Sequence, residues 1–438
     1  MRNLVMAAAL AGLAASGSIP GLLSQARASA PEMFGFGART GAMGATGAAH
    51  ALDYEAVYAN PAALTSGWNK RLSLGYIFGY FDLGLSQNLR QIRPPKADNT
   101  YGLVIGATIP LGFRGWLKDR VWIGMSFYLP TGVVTRARVP LPGQPFFAVL
   151  ESRTQVVGVQ VAGGMEPYPG LRIGAGVLAL AALTGIVKID ADAGGNIGSQ
   201  VEQQLIVDYA PIFGVMWTPK WIPRWSFGAV YRGQSVAGFD VVLRNSLEDE
   251  LPIGLPELTI SGIAQFDPQQ AALEVAFQPR PFTTVALQLC WKGWSAYPLP
   301  TRNVTAASPE QPKPGFRDTV VPRVGAEHHF RWGGWSLALR AGYFFEPTPV
   351  PEQRGATNLL DNHRHVFTLG LGTALSRARV TPFSADAFFQ YHYLVPRRHE
   401  KDPAIVGLAD PGLLQYARSR FRTWGQLLVA GVQIGVEF

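Results

Sequence analysis

The end of the chain alternates strictly between apolar and small or polar side chains. The apolar set is Leu428, Ala430, Val432, Ile434, Val436 and Phe438, and the residues between are Val429, Gly431, Gln433, Gly435 and Glu437. Successive side chains of a β-strand point to opposite faces, so this segment presents one apolar face. A barrel strand that crosses a bilayer needs this pattern, because hydrocarbon lies outside and a wetter lumen inside. A strand of a water-soluble sandwich alternates too, so further features must decide.

The same alternation recurs upstream, at residues 284–291 and 367–372. It predicts an all-β fold, an antiparallel transmembrane β-barrel of about 14 strands over residues 71–438. The predicted strands are 71–85, 100–110, 121–135, 154–166, 171–190, 202–217, 225–240, 269–279, 282–297, 318–332, 335–346, 364–376, 380–395 and 421–438.

The connections between the predicted strands alternate between short and long. Short ones span 166–170, 218–224, 279–281, 332–334 and 376–380, and long ones span 87–99, 141–153, 240–268, 298–317, 346–363 and 396–420. Outer-membrane barrels have short periplasmic turns and long external loops. Because a soluble sandwich has no reason to sort its loops in this way, the pattern favours the bacterial outer membrane.

Tryptophan concentrates near the predicted strand ends, which is typical of aromatic girdles at a membrane interface, although core packing is the alternative. These residues are Trp217, Trp221, Trp225, Trp291, Trp294, Trp332, Trp335 and Trp424.

Composition excludes several other classes. Charged residues are 16% of the 438 and hydrophobic residues 47%, which is too apolar for disorder, and 49 Gly with 33 Pro are too many for a helical bundle. The net charge of +8 is spread over loops without a basic run, so no nucleic-acid partner is expected. The single cysteine, Cys290, rules out an internal disulfide and is interpreted as a small wall residue.

Residues 1–30 have the pattern of a signal peptide. Arg2 precedes an apolar stretch from Leu4 to Ala15, and small residues follow at Ala26, Ala28 and Ala30. Cleavage after Ala28 is favoured over Ala30, because Pro31 would follow the later cut. Export is therefore expected.

A glycine-rich segment without strand alternation precedes the first strand and ends in Asn60-Pro61-Ala62. Pro61 fixes its own φ and favours an extended Asn60. A barrel of this size encloses a lumen too wide for wall side chains to fill, so residues 31–70 are predicted to form an N-terminal hatch, or plug, inside it. An ordinary turn before the first strand is the alternative for Asn60-Pro61.

Further motifs are YLPTG at 128–132, FDPQQAALEVAFQP at 266–279, WKGWSAYP at 291–298, RAGYFFEPTPVPEQ at 340–353 and LLDNHRHVFTLGLG at 359–372. With the Asn-Pro-Ala motif, this ordered series resembles the FadL family of outer-membrane transporters for long-chain fatty acids and aromatic hydrocarbons. The resemblance covers nearly all of the predicted mature chain. It implies that a hydrophobic ligand lands on an external groove, moves to a site near the hatch and leaves sideways into the membrane.

Candidate ligand contacts follow from apolar side chains in unusual places. Met33, Phe34 and Phe36 lie near the predicted mature N-terminus, where polar residues are usual, and are expected to line an inner ligand site. Phe146, Phe147, Val149 and Leu150 form an apolar patch in a predicted external loop, and residues 253–260 form another. Such a patch serves either as a ligand groove or as a cap on the barrel.

Pro130 and Gly132 are the candidate lateral opening, because Pro donates no ladder hydrogen bond and Gly weakens a strand. The family resemblance implies a wall opening at the corresponding strand; an end of the strand at Leu129 is the alternative. Arg340 is predicted to face the lumen, where it either binds a ligand carboxylate or pairs with Glu327.

The alternatives to transport are an outer-membrane enzyme acting on lipids and a structural or adhesive barrel. No Ser or paired carboxylates accompany the histidines at matched levels, and His363 with His365 supply too few ligands for a metal. No catalytic residue, metal or cofactor is therefore expected. The expected protein is a porin-like monomer in contact with a hydrophobic small molecule, with outer-membrane lipids and lipopolysaccharide, and with the barrel-assembly machinery that recognises a terminal aromatic such as Phe438.

Overall fold

The computed structural model describes residues 30–67, 69–88, 90–91, 99–131, 145–150, 157–191, 197–245, 258–298, 313–355, 357–377, 380–402 and 420–438. Residues 1–29 of the predicted leader, Gly132 and residues 253–257 lie outside these ranges. Within them, no helix is both long enough and apolar enough to span a membrane.

The wall of the molecule is a closed antiparallel barrel of 14 strands, as the sequence predicts. Its strands are β1 (Arg71–Gln87), β3 (Thr100–Pro110), β4 (Val121–Pro130), β6 (Gly158–Tyr168), β7 (Leu171–Ala191), β8 (Ile197–Trp217), β9 with β10 (Trp225–Arg232 and Ser235–Asn245), β11 with β12 (Leu258–Asp267 and Gln270–Phe277), β13 (Thr283–Lys292), β14 (Thr319–Trp332), β15 (Trp335–Glu346), β17 (Arg364–Arg377), β18 (Val380–His399) and β19 (Phe421–Glu437). The sheet closes where β1 pairs with β19, from Arg71 opposite Glu437 to Gln87 opposite Phe421.

Two wall strands are bent, and this corrects the sequence prediction. The seventh strand is interrupted at Gly233, between β9 and β10. The eighth is interrupted at Pro268, between β11 and β12, where proline has no backbone N–H to donate to the neighbouring strand. Beyond these bends β10 pairs with β11 and, in parallel, with β7, and the two strands occupy much of the region 240–268 that was predicted to be a loop. Conversely, the predicted strand 282–297 ends at Lys292, and a short 3-10 helix, Trp294–Ala296, follows.

The outer face of the wall is apolar over the described strands. Leu287, Leu289, Val432 and Ile434 are more than half exposed, whereas the residues that alternate with them are buried. This dyad pattern matches lipid outside and packed protein inside. Trp217, Trp221, Trp225, Trp332 and Trp335 are exposed near periplasmic turns, as girdle residues are.

Trp294 does not belong to a girdle. It is buried among residues of the external loops and packs against Phe266 and Phe316, so the girdle prediction is wrong at this position.

The lumen contains residues 30–66, which we call the N-terminal segment. It has three one-turn helices, α1 (Ala30–Phe34), α2 (Ala38–Ala42) and α3 (Glu55–Ala59), and a 3-10 helix, Pro61–Ser66. Almost all of its described residues are buried. Such short helices are stable only through packing, so the surrounding wall holds their conformation.

Short elements complete the described chain. β2 (Arg90–Gln91) extends the β1 hairpin, and Gly115–Leu117 forms a 3-10 turn. β5 (Phe146–Phe147) pairs in parallel with β16 (Leu359–Leu360), which joins two external loops above the lumen.

Candidate functional site in the lumen

The Asn-Pro-Ala motif is the most closely held part of the N-terminal segment. Asn60 is extended, at φ −167° and ψ 108°, and Pro61 begins the 3-10 helix. The Asn60 Oδ1 atom accepts a hydrogen bond from the Ala62 N–H at 3.0 Å. Its Nδ2 group donates to the carbonyls of Ala48 at 2.6 Å and Val215 at 3.0 Å. One buried amide therefore caps a helix and ties it to the wall.

Glycines on the inner face of the wall admit the N-terminal segment. At each of them a Cβ atom would collide with that segment, as at Gly214 with the Asn60 side chain and at Gly174 with Ala62. We call this set the glycine belt: Gly106, Gly124, Gly164, Gly174, Gly214, Gly228, Gly325, Gly342 and Gly370. Because each comes from a different strand, the segment is enclosed on most sides by close backbone contact.

Buried carboxylates anchor the backbone of the segment. Glu274, on β12, accepts hydrogen bonds from the N–H groups of Gly47, Ala48 and Ala49 at 2.7, 2.8 and 3.1 Å. Glu55 accepts from the N–H groups of Arg39 and Thr40 at the start of α2, at 3.0 and 2.8 Å. Burial raises the pKa of the Glu55 carboxyl to about 7.

The last strand also holds the segment. The Gln433 Oε1 atom accepts hydrogen bonds from the Ala38 N–H at 3.0 Å and from the Tyr54 hydroxyl at 2.6 Å. The segment is thus bound both by early strands and by β19.

A chain of ion pairs joins the N-terminal segment to the inner face of the wall on the periplasmic side. Glu327 contacts Arg39 at 2.8 Å and Arg340 at 2.6 Å, and Arg340 also contacts Asp386 at 2.6 Å. Arg340 therefore faces the lumen and pairs with Glu327, the structural alternative raised by the sequence. Its assignment as a ligand contact stays a prediction.

The predicted inner ligand residues meet the predicted loop residues in one apolar cluster. Met33, Phe34 and Phe36 pack with Phe147 and Leu150 from the loop between β4 and β6. Wall side chains complete the lumenal cluster: Ile77, Phe81, Leu83, Leu85, Val104, Tyr128, Phe388, Leu394, Phe421, Leu427 and Val429. Side chains that the sequence separates widely are therefore joined into one apolar path through the external half of the lumen.

The apolar loop patch is buried rather than exposed. Phe146, Ala148 and Val149 join Trp294, Phe316, Val350 and Leu359 in a second cluster, the loop cap. Of the two readings that the sequence left open, a cap on the barrel describes this conformation. An exposed groove at Phe146, Phe147 and Leu150 is not present.

A small polar cavity of about 30 Å³ lies beside the apolar cluster and is lined by Glu32, Phe36, Arg232 and Arg323 among others. Both arginines are buried, and the Nε atom of each has no hydrogen-bond partner among the described residues. Other donors of these groups bind carbonyl or amide oxygens, with Arg232 contacting Tyr58 O and Gln270 and Arg323 contacting Ala45 O.

The acid in this cavity already has a cationic partner. Glu32 lies 2.7 Å from Lys292, which also contacts Glu346 at 2.7 Å. Neither cavity arginine forms a salt bridge with a described residue, although the acids Glu32 and Glu346, which share Lys292, lie near Arg323. An anionic group of carboxylate size suits such a site, since buried cations are stable only when paired or hydrogen-bonded.

The candidate lateral opening is described only in part. Pro130 is the last residue of β4 and lies opposite Gly102 of β3, and the Thr131 N–H donates to the Tyr101 carbonyl at 3.1 Å. On the other side, the pairing of β4 with β6 ends at Tyr128 opposite Gly158. Gly132 lies outside the described residues.

The histidines of the last third of the chain have structural contacts. His365 Nδ1 lies 2.8 Å from the Tyr343 hydroxyl, and His363 Nδ1 accepts from the Thr348 N–H at 3.1 Å. Among the described residues no group of His, Cys, Asp and Glu is arranged to hold a metal ion. Cys290 is buried in the wall.

Sequence reasoning missed the glycine belt, Glu274 and the two cavity arginines. The signal for Glu274 was present, because it is a lone acid in the middle of an apolar strand, and such residues deserve a functional hypothesis by default. The signal for the glycine belt was weaker: each of its glycines occupies a position in its strand at which a side chain would face the lumen. Arg232 and Arg323 carry no local signal, since only the pairing of four neighbouring strands, β9, β12, β13 and β14, brings them to one cavity.

These features define the class: an outer-membrane β-barrel with its own N-terminal segment packed in the lumen. The family model described as "Outer membrane protein transport protein (OMPP1/FadL/TodX)" matches residues 23–392, and the chain belongs to this family. It is accordingly a protein of the bacterial outer membrane, and its family consists of transport channels for hydrophobic compounds rather than enzymes.

Solved structures share the fold at low sequence identity. A Pseudomonas aeruginosa FadL homologue matches with a TM-score of 0.64 and 14% identity over 96% of this chain and 100% of its own. The toluene transporters TodX of P. putida and TbuX of Ralstonia pickettii match with TM-scores of 0.54 and 0.52, at 13% and 14% identity, each over 93% of this chain and 99% of its own. Comparison with curated protein sequences gave no match.

Proposed function

We propose that this protein carries long-chain fatty acids across the outer membrane by diffusion through the lumen. The observation that carries the proposal is the polar cavity with Arg232 and Arg323, beside the apolar cluster of Met33, Phe34 and Phe36. Phe36 belongs to both, so one ligand is able to place its carboxylate against the arginines and its hydrocarbon among the aromatic side chains. An uncharged aromatic hydrocarbon makes no use of the buried cations.

In this proposal the N-terminal segment is the hatch, and the described conformation is closed. The loop cap covers the external end, and side chains of Phe147 and Leu150 occupy the space beside Phe34 that an acyl chain needs. Entry therefore requires the loop cap to move away from the lumenal cluster. Passage then requires the hatch to shift within the glycine belt.

Binding measurements with matched ligands test the substrate. Oleic acid and its methyl ester differ only in the charge at the head group, so they separate the cavity arginines from the apolar cluster. We expect Arg323→Gln to weaken oleate binding by about 10- to 100-fold, because a charge-assisted hydrogen bond contributes about 1.5–3 kcal/mol. Binding of the methyl ester should be unchanged. The control is Arg420→Gln, which neutralises an exposed arginine at the start of β19.

Each alternative has its own outcome in this assay. Equal oleate binding by wild type and Arg323→Gln contradicts a carboxylate site at the cavity. Binding of toluene in preference to both oleate and its ester assigns the lumen to aromatic hydrocarbons. Proteoliposomes that take up none of the three compounds indicate a structural barrel.

The proposed exit is lateral, between β4 and β6 beyond Tyr128. The proposal is supported by Pro130, the last residue of β4, which donates no ladder hydrogen bond. An acyl chain that leaves through the wall avoids exposure to the periplasm at about 0.8 kcal/mol per methylene. Valine at both Pro130 and Gly132 should restore strand pairing and slow uptake without loss of oleate binding. Uptake at the wild-type rate and equal surface expression rejects this exit.

A further inference from the structure

A second apolar site lies on the outer surface of the barrel, away from the lumen. It is a groove of about 660 Å³ across β8, β9, β12, β13 and β14, lined mainly by apolar atoms of Trp217, Phe227, Ala229, Leu273, Leu287 and Pro322. We call it the outer groove. Its volume is in the range of ligand pockets in proteins, whereas a regular barrel wall offers lipid a convex surface.

The groove lies directly behind an anchor of the N-terminal segment. Gly228 and Glu274 also border it, and on their inner side Gly228 contacts Ala48 while Glu274 accepts the three N–H groups of residues 47–49. On the outer side, Ala229 is small and lies between the larger Trp217, Phe227 and Leu273. The outer groove therefore has two causes. The N-terminal segment holds the wall at Gly228 and Glu274 from the inside, and the side chain of Ala229 on the outside is small.

The rim of the groove toward the periplasm is cationic. The two turns that border it, 218–224 and 278–282, contain Lys220, Arg224 and Arg280 and no acidic residue. All three side chains are exposed. The turns are adjacent, because the Gln278 N–H donates to the Arg224 carbonyl at 2.9 Å.

Aromatic rings mark the membrane interface between groove and rim. Trp225 stacks on Phe277 with ring centroids 4.4 Å apart, and Trp217 contacts Trp221 at 5.3 Å. Rings at this level lie at the depth of lipid head groups. The groove therefore opens toward the acyl region of the periplasmic leaflet, and the cations lie at the height of its phosphates.

We infer that the outer groove binds one anionic phospholipid of the periplasmic leaflet. An acyl chain fills the groove over Ala229, and the phosphate lies among Lys220, Arg224 and Arg280. A phospholipid is favoured over transported cargo because the site combines an acyl-sized groove with three cations at head-group height. The inference rests on the membrane location of the barrel and is independent of the proposed fatty-acid transport.

Native mass spectrometry of the delipidated protein tests the inference with two lipids of identical acyl chains. We expect phosphatidylglycerol to bind more tightly than phosphatidylethanolamine. Replacing Lys220, Arg224 and Arg280 by Gln should reduce phosphatidylglycerol affinity by about fivefold per cation, since each contributes about 1 kcal/mol near a charged lipid surface. These side chains are exposed in turns, so folding should be unaffected. Arg114→Gln with Lys118→Gln, in another periplasmic turn, is the matched control.

A second variant tests the groove itself. Ala229→Trp should fill it and lower the affinity for both lipids, whereas Ala430→Trp, on the outer face of β19, should leave both affinities unchanged. Equal lipid binding by the two tryptophan variants overturns the groove as the acyl site. Equal affinity of the wild type for the two lipids overturns the anionic assignment. Loss of oleate binding in an Arg232→Gln protein, in which the changed residue lines the lumenal cavity but not the outer groove, with phosphatidylglycerol binding retained, shows that the two sites are separate.

Discussion

The side chain of Asn60 occupies the space that a Cβ atom would need at Gly214. Asn60 is fully buried, and its amide makes hydrogen bonds to Ala62, Ala48 and Val215. The contact couples the N-terminal segment to β8 close to the periplasmic end of that strand.

Gly214→Ala should therefore displace Asn60 and loosen the segment. We expect a loss of about 1–3 kcal/mol in the free energy of unfolding, the usual effect of overpacking, together with faster proteolysis of residues 30–66. Urea titration and limited proteolysis measure the two effects. Gly163→Ala is the control, because a Cβ atom there meets only the Trp122 carbonyl, at 3.7 Å. Identical behaviour of the two variants contradicts close packing at Gly214.

Glu274→Gln should release the segment from β12. The carboxylate accepts three backbone N–H groups, and an amide replaces one acceptor oxygen by a donor that faces them. We expect a loss of about 2 kcal/mol and more frequent ion currents in planar bilayers. Glu166→Gln removes an acid that binds the turn at Gly170 instead, and its currents should match wild type. Silent bilayers with Glu274→Gln show that this anchor does not keep the lumen closed.

The packing of α2 should weaken as the pH rises. Burial raises the pKa of Glu55 from 4.5 to about 7, so between these values the folded protein holds a proton that the unfolded chain releases. The resulting stabilisation is complete below pH 4.5 and is lost as the pH rises through 7, with a size on the order of 3 kcal/mol at most. Hydrogen exchange at Arg39 and Thr40, corrected for intrinsic rates, should report more opening at pH 8 than at pH 5. Glu55→Gln should remove this difference, and a difference that persists assigns it to another group.

Substitution of Arg340 should lower the free energy of unfolding and leave ligand binding unchanged, which a double-mutant cycle with Asp386 can measure. Arg340→Gln leaves the largely buried Asp386 without its cation and is expected to lower the free energy of unfolding by about 3 kcal/mol. Adding Asp386→Asn should recover at least about 1 kcal/mol, because the two side chains interact directly. Oleate affinity should be the same in all three variants. If affinity falls in Arg340→Gln while stability does not, Arg340 is a ligand contact.

The strands were largely readable from the sequence, and particular elements show why. Residues 100–110 and 335–346 were predicted to the residue, because alternation and flanking turns agree there. The bends at Gly233 and Pro268 were missed since the pattern of alternation does not reveal where a strand leaves the wall. Trp294 was misassigned because position near a strand end does not distinguish an interface from a loop cluster.

The site was readable only where its residues are local. Asn60, Pro61 and Ala62 form a contiguous motif whose backbone preferences fix its shape. The pairing of Arg340 with Glu327 was predictable because both side chains occupy inward-facing positions on adjacent strands. In contrast, the cavity between Arg232 and Arg323 depends on the register of four adjacent strands, and the contact of Phe147 with the cluster of Phe34 joins residues more than 100 positions apart. Neither has a signal in sequence spacing.

Gln433, on the last strand, accepts hydrogen bonds from Ala38 and Tyr54 of the N-terminal segment, which has a consequence for biogenesis. The N-terminal segment is made first, but part of its binding surface belongs to the last strand. That strand also pairs with β1, so a single strand both completes the wall and completes the binding surface of the segment. We therefore expect the N-terminal segment to be in place before β19 pairs with β1. That last pairing would then close the barrel and fix the segment inside it at the same time.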